Sequence, residues 1–176
     1  MARTLLLVRH GKAERGRAGL PDEERSLVPG AAEALAASYP ATFSLLKELP
    51  AGQAIAAAET PIQLWVSPAL RARQTADCVA TALEACDLPV GPAQEHASLL
   101  YQNREAFYQE LSATPADATI IAVGHIPFME DVLERLTGCA IAFKPGSVAA
   151  VSLSGDPGSR ASEGRLLWFV SGPKVG

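Results

Sequence analysis

Thr4-Leu5-Leu6-Leu7-Val8-Arg9-His10-Gly11 is the stretch on which the fold turns. A short, almost wholly apolar run ends abruptly in a cation, an imidazole and a glycine. Such a run is too short for a buried helix and reads as a strand covered on both faces. Two further runs have the same form. Ile62-Gln63-Leu64-Trp65-Val66 is closed by Ser67-Pro68, and Thr119-Ile120-Ile121-Ala122-Val123 is closed by Gly124. Later strands are expected at Ser147 to Leu153 and Leu166 to Val170. The Gly- and Ser-containing stretch Gly155 to Gly164 joins them as a hairpin loop.

Helical patterns alternate with these runs. Ser67 is expected to cap a helix whose first residue is Pro68. Behind it, Ala72, Ala76, Val79, Ala80 and Leu83 share one face at helical spacing. Pro127 suits the first turn of another helix. Ile126, Met129, Val132, Leu133 and Leu136 mark its inner face, and Gly138 stops it. Two more helices are expected, one from near Pro29 to about Ser38 and one over Arg104 to Leu111. Pro40 to Pro61 is less regular and reads as a helical excursion. The fold class that follows is α/β: a three-layer sandwich with a mostly parallel central sheet and helices on both faces. No linker divides residues 1–176, so a single domain is expected.

The 176 residues are 48% hydrophobic and 19% charged, which excludes a disordered or fibrous chain. A net charge of -4 argues against a general nucleic-acid binder. Residues 1–19 nevertheless hold Arg3, Arg9, Lys12, Arg15 and Arg17 against Glu14 alone. That local bias suits a small anion such as phosphate. Cys78, Cys86 and Cys139 form neither a disulfide framework nor a zinc motif, and read as small, mostly buried residues in a reducing compartment. No apolar run is long enough for a membrane span or a signal core, so a cytoplasmic location is expected.

Each closing motif sits at the carboxyl end of a predicted parallel strand, the edge at which open α/β sheets bind ligands. Arg9-His10-Gly11, Ser67 to Thr75 and Gly124-His125 can therefore meet in one crevice. Arg9 and Arg71 carry planar forks suited to phosphate oxygens. His10 and His125 each offer a ring nitrogen. Gly11 lets the backbone approach a ligand closely, and Arg71 falls in the first turn of its helix, at the positive end of the dipole. Two histidines and two arginines around one anion make a phosphoryl-transfer site. Arg73 and His96 read as ordinary structural or surface residues, Lys12 and Arg15 either as groups that steer anions or as solvated side chains, and Trp65 and Trp168 as core.

Leu6-Leu7-Val8-Arg9-His10-Gly11 resembles the signature of the histidine phosphatase superfamily, which also includes the cofactor-dependent phosphoglycerate mutases. Ser67-Pro68 with Arg71, Arg73, Gln74 and Thr75 resembles its second motif, and Gly124-His125 its third. Glu24-Arg25-Ser26-Leu27 with Gly30, Gly124-His125-Ile126-Pro127 and Phe143 to Ser147 are similar to the SixA-type phosphohistidine phosphatases. The resemblance covers nearly the whole chain and departs at Pro40 to Pro61, which is longer than the usual connection. It implies a phosphoglycerate mutase-like fold. It also implies His10 as nucleophile, with Arg9, Arg71 and His125 holding the phosphoryl group and Arg25 as a further contact. No metal or organic cofactor is implied. The implied substrate is a phosphohistidine-bearing protein. The alternatives are a small phosphorylated metabolite, enclosed by the Pro40 to Pro61 insertion, and a phosphate- or phosphohistidine-binding module with little turnover.

Larger relatives use a carboxylic acid to protonate the leaving oxygen. Glu95 and Glu105 are the candidates here, and the Ala97 to Tyr101 stretch between them has no carboxylate. An imidazole leaving group, with a pKa of about 6.5 for its conjugate acid, departs with little help. The missing acid therefore agrees with a phosphohistidine substrate.

Overall fold

The computed structural model describes residues 2–49, 60–159 and 163–175. Six strands form one sheet: β1 (Arg3–Arg9), β2 (Ile62–Val66), β3 (Val90–Glu95), β4 (Thr119–Gly124), β5 (Val148–Ser154) and β6 (Glu163–Val170). Their spatial order is β3-β2-β4-β1-β5-β6. β3, β2, β4 and β1 are mutually parallel. β5 runs against both β1 and β6, so the sheet is mixed, with one reversed strand. The helices are α1 (Ala31–Ser44), α2 (Leu70–Ala85), the single turn α3 (Ala97–Leu100), α4 (Arg104–Ser112) and α5 (Phe128–Thr137).

The alternation within β1 explains why its apolar run is unbroken. Leu6 and Val8 belong to a core shared with Leu35, Tyr39 and Phe43 of α1 and with Ala72, Val79 and Leu83 of α2. Leu5 and Leu7 belong to the opposite core, with Phe107 and Leu111 of α4 and Met129, Val132 and Leu133 of α5. A strand buried on both faces needs apolar side chains at every position. Gly138 ends α5 in the left-handed conformation, with φ of 75°, and returns its N–H to Glu134.

Several expectations are corrected. α2 begins at Leu70 with Ala69 as its cap. Ser67 lies two residues before that cap, and its hydroxyl bonds His125 and the Ala69 N–H instead of an N–H of the helix. Pro127 precedes α5 instead of lying in its first turn. α1 passes through Pro40 to Ser44, because Tyr39 and Phe43 are both buried and their packing outweighs the one backbone bond that proline removes. β3, absent from the sequence reading, carries Pro92 and exposed side chains, as an edge strand can. Of the cysteines only Cys86 is buried. Trp168, on the outer strand β6, is partly buried and packs against the core that holds Leu6 and Val8.

The Pro40 to Pro61 stretch lies partly outside the described residues. Its described ends are the last turn of α1, the 3₁₀ turn Leu45–Glu48, and Thr60-Pro61 leading into β2. Cys86, just beyond α2, donates its thiol to the Pro40 carbonyl. Both ends of the stretch therefore join the fold at the amino-terminal edge of β2, opposite the edge that carries His10. They supply no part of a lid over His10.

Candidate active site

His10 follows β1, Ser67 follows β2 and His125 follows β4. These three strands are adjacent in the order β2-β4-β1, with Arg9 level with Gly124 and Val66 level with Val123. The His10 N–H donates to the Gly124 carbonyl over 2.9 Å, and the Ser67 N–H to the Val123 carbonyl over 3.0 Å. The two imidazoles meet edge to face, 5.2 Å between centroids. They line a cavity of about 370 Å³ together with Arg9, Gly11, Arg71, Lys12, Asp22 and Arg25.

The hydrogen bonds assign each ring. His10 Nδ1 lies 2.7 Å from the Gly11 carbonyl oxygen, which can only accept, so Nδ1 carries the proton. Nε2 is left with a lone pair facing the cavity, where Arg71 Nε donates to it over 3.3 Å. His125 Nδ1 lies 3.4 Å from a guanidinium nitrogen of Arg71, which can only donate, so the neutral ring carries its proton on Nε2. That Nε2–H reaches Ser67 Oγ at 2.7 Å. Burial is the main cause that disfavours both imidazolium forms, reinforced at His10 by the charges of His125, Arg71 and Arg9 and at His125 by those of Arg71 and Arg25. His10 is pushed down to about 3, where the bond to Gly11 opposes the shift, and His125 to about 4, where Asp22 opposes it. Both rings are neutral at neutral pH.

Arg71, the second residue of α2, is buried. Its Nη1 donates to the Asp22 carbonyl over 2.7 Å and its Nη2 to Asp22 Oδ2 over 3.0 Å. Arg9 donates Nη1 to the Phe143 carbonyl over 2.6 Å, while its Nε is buried without a partner. Burial holds the Arg9 guanidinium below its ordinary pKa, an effect that Glu130 opposes. Arg25 also lines the cavity, but its nitrogens go to Asp22 Oδ1 and the Glu14 carbonyl. It is joined to Arg71 through Asp22.

Gly11 has a packing reason to be glycine. A Cβ there would meet Leu35 Cδ1 at 2.9 Å and Leu27 Cδ2 at 3.2 Å. Its N–H donates to Thr75 Oγ1 over 2.9 Å, and Leu27 N–H donates to Gln74 Oε1 over 2.8 Å. Gln74 and Thr75 thus tie the segment after His10 to α2, whereas Arg73 points to solvent.

Neither glutamate proposed as the acid lines this cavity. Glu95 is exposed at the end of β3, and Glu105 lines a separate groove with Tyr108. His96 bonds Glu110 and stacks on Trp65, a local structural pairing. The carboxylate at the cavity is Asp22, which sequence reasoning missed. Its signal was the i, i+3 spacing of Asp22 and Arg25 within an otherwise solvent-exposed loop. Among the described residues no cluster of His, Cys, Asp or Glu is suited to hold a metal ion, and no helix is long and apolar enough to cross a membrane.

No family model and no curated protein matches this sequence. Solved structures do match it. The protein histidine phosphatase SixA complexed with tungstate aligns over 96% of both chains, with 23% identity and a TM-score of 0.66. A putative phosphohistidine phosphatase SixA from Nakamurella multipartitia aligns over 98% of this chain and 97% of its own, with 24% identity and a TM-score of 0.67. The fold is the phosphoglycerate mutase-like fold of the histidine phosphatases. It extends to a phosphoglycerate mutase from Plasmodium falciparum, at 13% identity over 99% and 94% of the two chains and a TM-score of 0.57.

Proposed function

We propose that this protein is a phosphatase that passes a phosphoryl group through His10 Nε2. The observation that carries the reading is the state of that nitrogen. Its ring partner Nδ1 is committed to the Gly11 carbonyl, the ring is neutral, and the Nε2 lone pair, which accepts a 3.3 Å hydrogen bond from Arg71 Nε, faces a cavity lined by Arg9, Arg71 and His125. Nucleophilic attack needs that lone pair. As the bond from Nε2 to phosphorus forms, the bond to the leaving atom breaks and its electron pair departs with the leaving group. Water then attacks the phosphohistidine, frees His10 and yields inorganic phosphate. Arg9 Nε and Arg71 supply donors for the equatorial oxygens, which is the main work of phosphoryl-transfer catalysis.

The substrate class we infer is protein phosphohistidine. The Asp22 carboxylate is held ionised by Arg71 and Arg25, despite partial burial that favours its neutral form, so it is poorly placed to give a proton to a departing alkoxide. A phosphohistidine ring that already carries a proton on its other nitrogen departs as neutral imidazole and does not need one. The relatives cut both ways: SixA is named for histidine phosphatase activity and was solved with tungstate, a tetrahedral oxyanion like phosphate, whereas the mutase is named for a small metabolite.

The test is release of phosphate from a phosphohistidine-bearing carrier protein, in EDTA, by wild type and His10→Ala. Turnover by wild type, lost in the variant, is expected. Full activity in His10→Ala overturns the nucleophile. Selective turnover of small phosphomonoesters overturns the substrate class alone.

A further inference from the structure

We propose that Asp22 is a positioning residue, which grips one edge of the Arg71 guanidinium so that the other edge is fixed toward the phosphoryl site. This rests on the phosphoryl-transfer reading of His10.

A guanidinium has two edges that can bind a tetrahedral oxyanion in bidentate fashion. In Arg71 the end-on edge, Nη1 and Nη2, is taken by Asp22 through its carbonyl at 2.7 Å and its Oδ2 at 3.0 Å. The side-on edge, Nε and Nη2, points to His10 Nε2 at 3.3 Å and His125 Nδ1 at 3.4 Å. A phosphoryl group in line for attack by His10 lies between those two rings. Its oxygens would replace the ring nitrogens as acceptors, and Asp22 would keep its hold on the far edge throughout.

Asp22 is itself fixed. Arg25 binds Oδ1 at 2.8 Å from two nitrogens and anchors to the Glu14 carbonyl at 2.8 Å. The Asp22 side chain is 66% exposed and that of Arg71 6%. An exposed carboxylate is therefore spent on the buried cation of the cavity. Arg25, implied as a phosphate contact, acts in this reading one step back, as the brace of Asp22.

The test compares wild type, Asp22→Ala, Asp22→Asn, Arg71→Ala and the Asp22→Ala/Arg71→Ala double variant. Two readouts are used: affinity for inorganic phosphate by calorimetry, and turnover of the phosphohistidine carrier protein. Asp22→Ala is expected to weaken phosphate binding about fivefold and to lower kcat about tenfold to a hundredfold, the effect of a binding group misplaced by roughly 1 Å. Asp22→Asn keeps an acceptor and recovers most of that loss. In the Arg71→Ala background, Asp22→Ala has no further effect on phosphate affinity, because the cycle removes the group through which Asp22 acts. The proposal is overturned if Asp22→Ala weakens binding by the same factor with and without Arg71. It is equally overturned if Asp22→Ala binds phosphate as well as wild type or more tightly, which would make Asp22 a bystander or a competing anion. Absence of His10-dependent turnover in wild type would overturn the phosphatase reading instead, and the phosphate-binding cycle would still decide the role of Asp22.

Discussion

The hydroxyl of Ser67 lies 2.7 Å from His125 Nε2 and accepts its proton, while also accepting the Ala69 N–H at 3.3 Å. This contact fixes both the tautomer and the plane of a buried imidazole. Ser67→Ala leaves that Nε2–H unsatisfied, at a cost of about 1–3 kcal/mol, and frees the ring to turn. A lowered unfolding midpoint together with a roughly tenfold loss in kcat/KM is expected. Thermal unfolding and steady-state kinetics on the same preparation check both.

Acid should inactivate and destabilise the protein together. His10 and His125 have folded-state values of about 3 and about 4, below the ordinary 6.5 of a free histidine. Between those limits the unfolded chain binds more protons than the native one, so stability falls as pH drops below about 6.5. Above that pH the two rings contribute no further slope. Urea midpoints at pH 4.5 and 7 should differ, and His10→Asn should narrow the difference.

Phosphate binding should take up protons. His125 Nδ1 is an acceptor to Arg71, whereas a phosphate oxygen at that atom favours a donor. An adjacent dianion raises a histidine pKa. Calorimetry at pH 6 in buffers of different ionisation enthalpy should show uptake of up to about one proton per phosphate, reduced in His125→Ala.

Gly11→Ala should cost about 1–3 kcal/mol, the usual range for overpacking. The new methyl would press on Leu35 and Leu27, which lie 2.9 Å and 3.2 Å from the Cβ position. Because the Gly11 carbonyl also holds His10 Nδ1, activity should fall with stability. A denaturant titration and a kcat measurement are sufficient.

Tyr39→Phe removes a buried hydroxyl that donates to the Gly146 carbonyl over 3.0 Å. The Gly146 N–H in turn donates to the carbonyls of Arg9 and His10, both at 3.1 Å. A loss of about 1 kcal/mol or somewhat more is expected from the orphaned carbonyl, read as a shift in unfolding midpoint.

The strands were legible because burial on both faces forces continuous apolar runs, as in Leu5 to Val8. β3 was not, because an edge strand with exposed side chains and a proline carries no such pattern. The end of α1 was misplaced for a related reason. Pro40 is a local stop signal, and only the packing of Tyr39 and Phe43 overrides it.

Local sequence determined what lies within a strand and its first turn: His10 after β1, Ser67 after β2, His125 after β4, and Arg71 entering α2. Parallel pairing then brings strand ends together without further information. The partners of those side chains were decided by the tertiary structure alone. Ser67 reads as a helix cap until the β2–β4 register sets it beside His125. Asp22 reads as loop charge until its exposed turn folds over Arg71. Such contacts join residues up to 58 positions apart and depend on where loops cross the sheet edge. Local periodicity reports only which face a residue occupies, and it has no term for what arrives from across the fold.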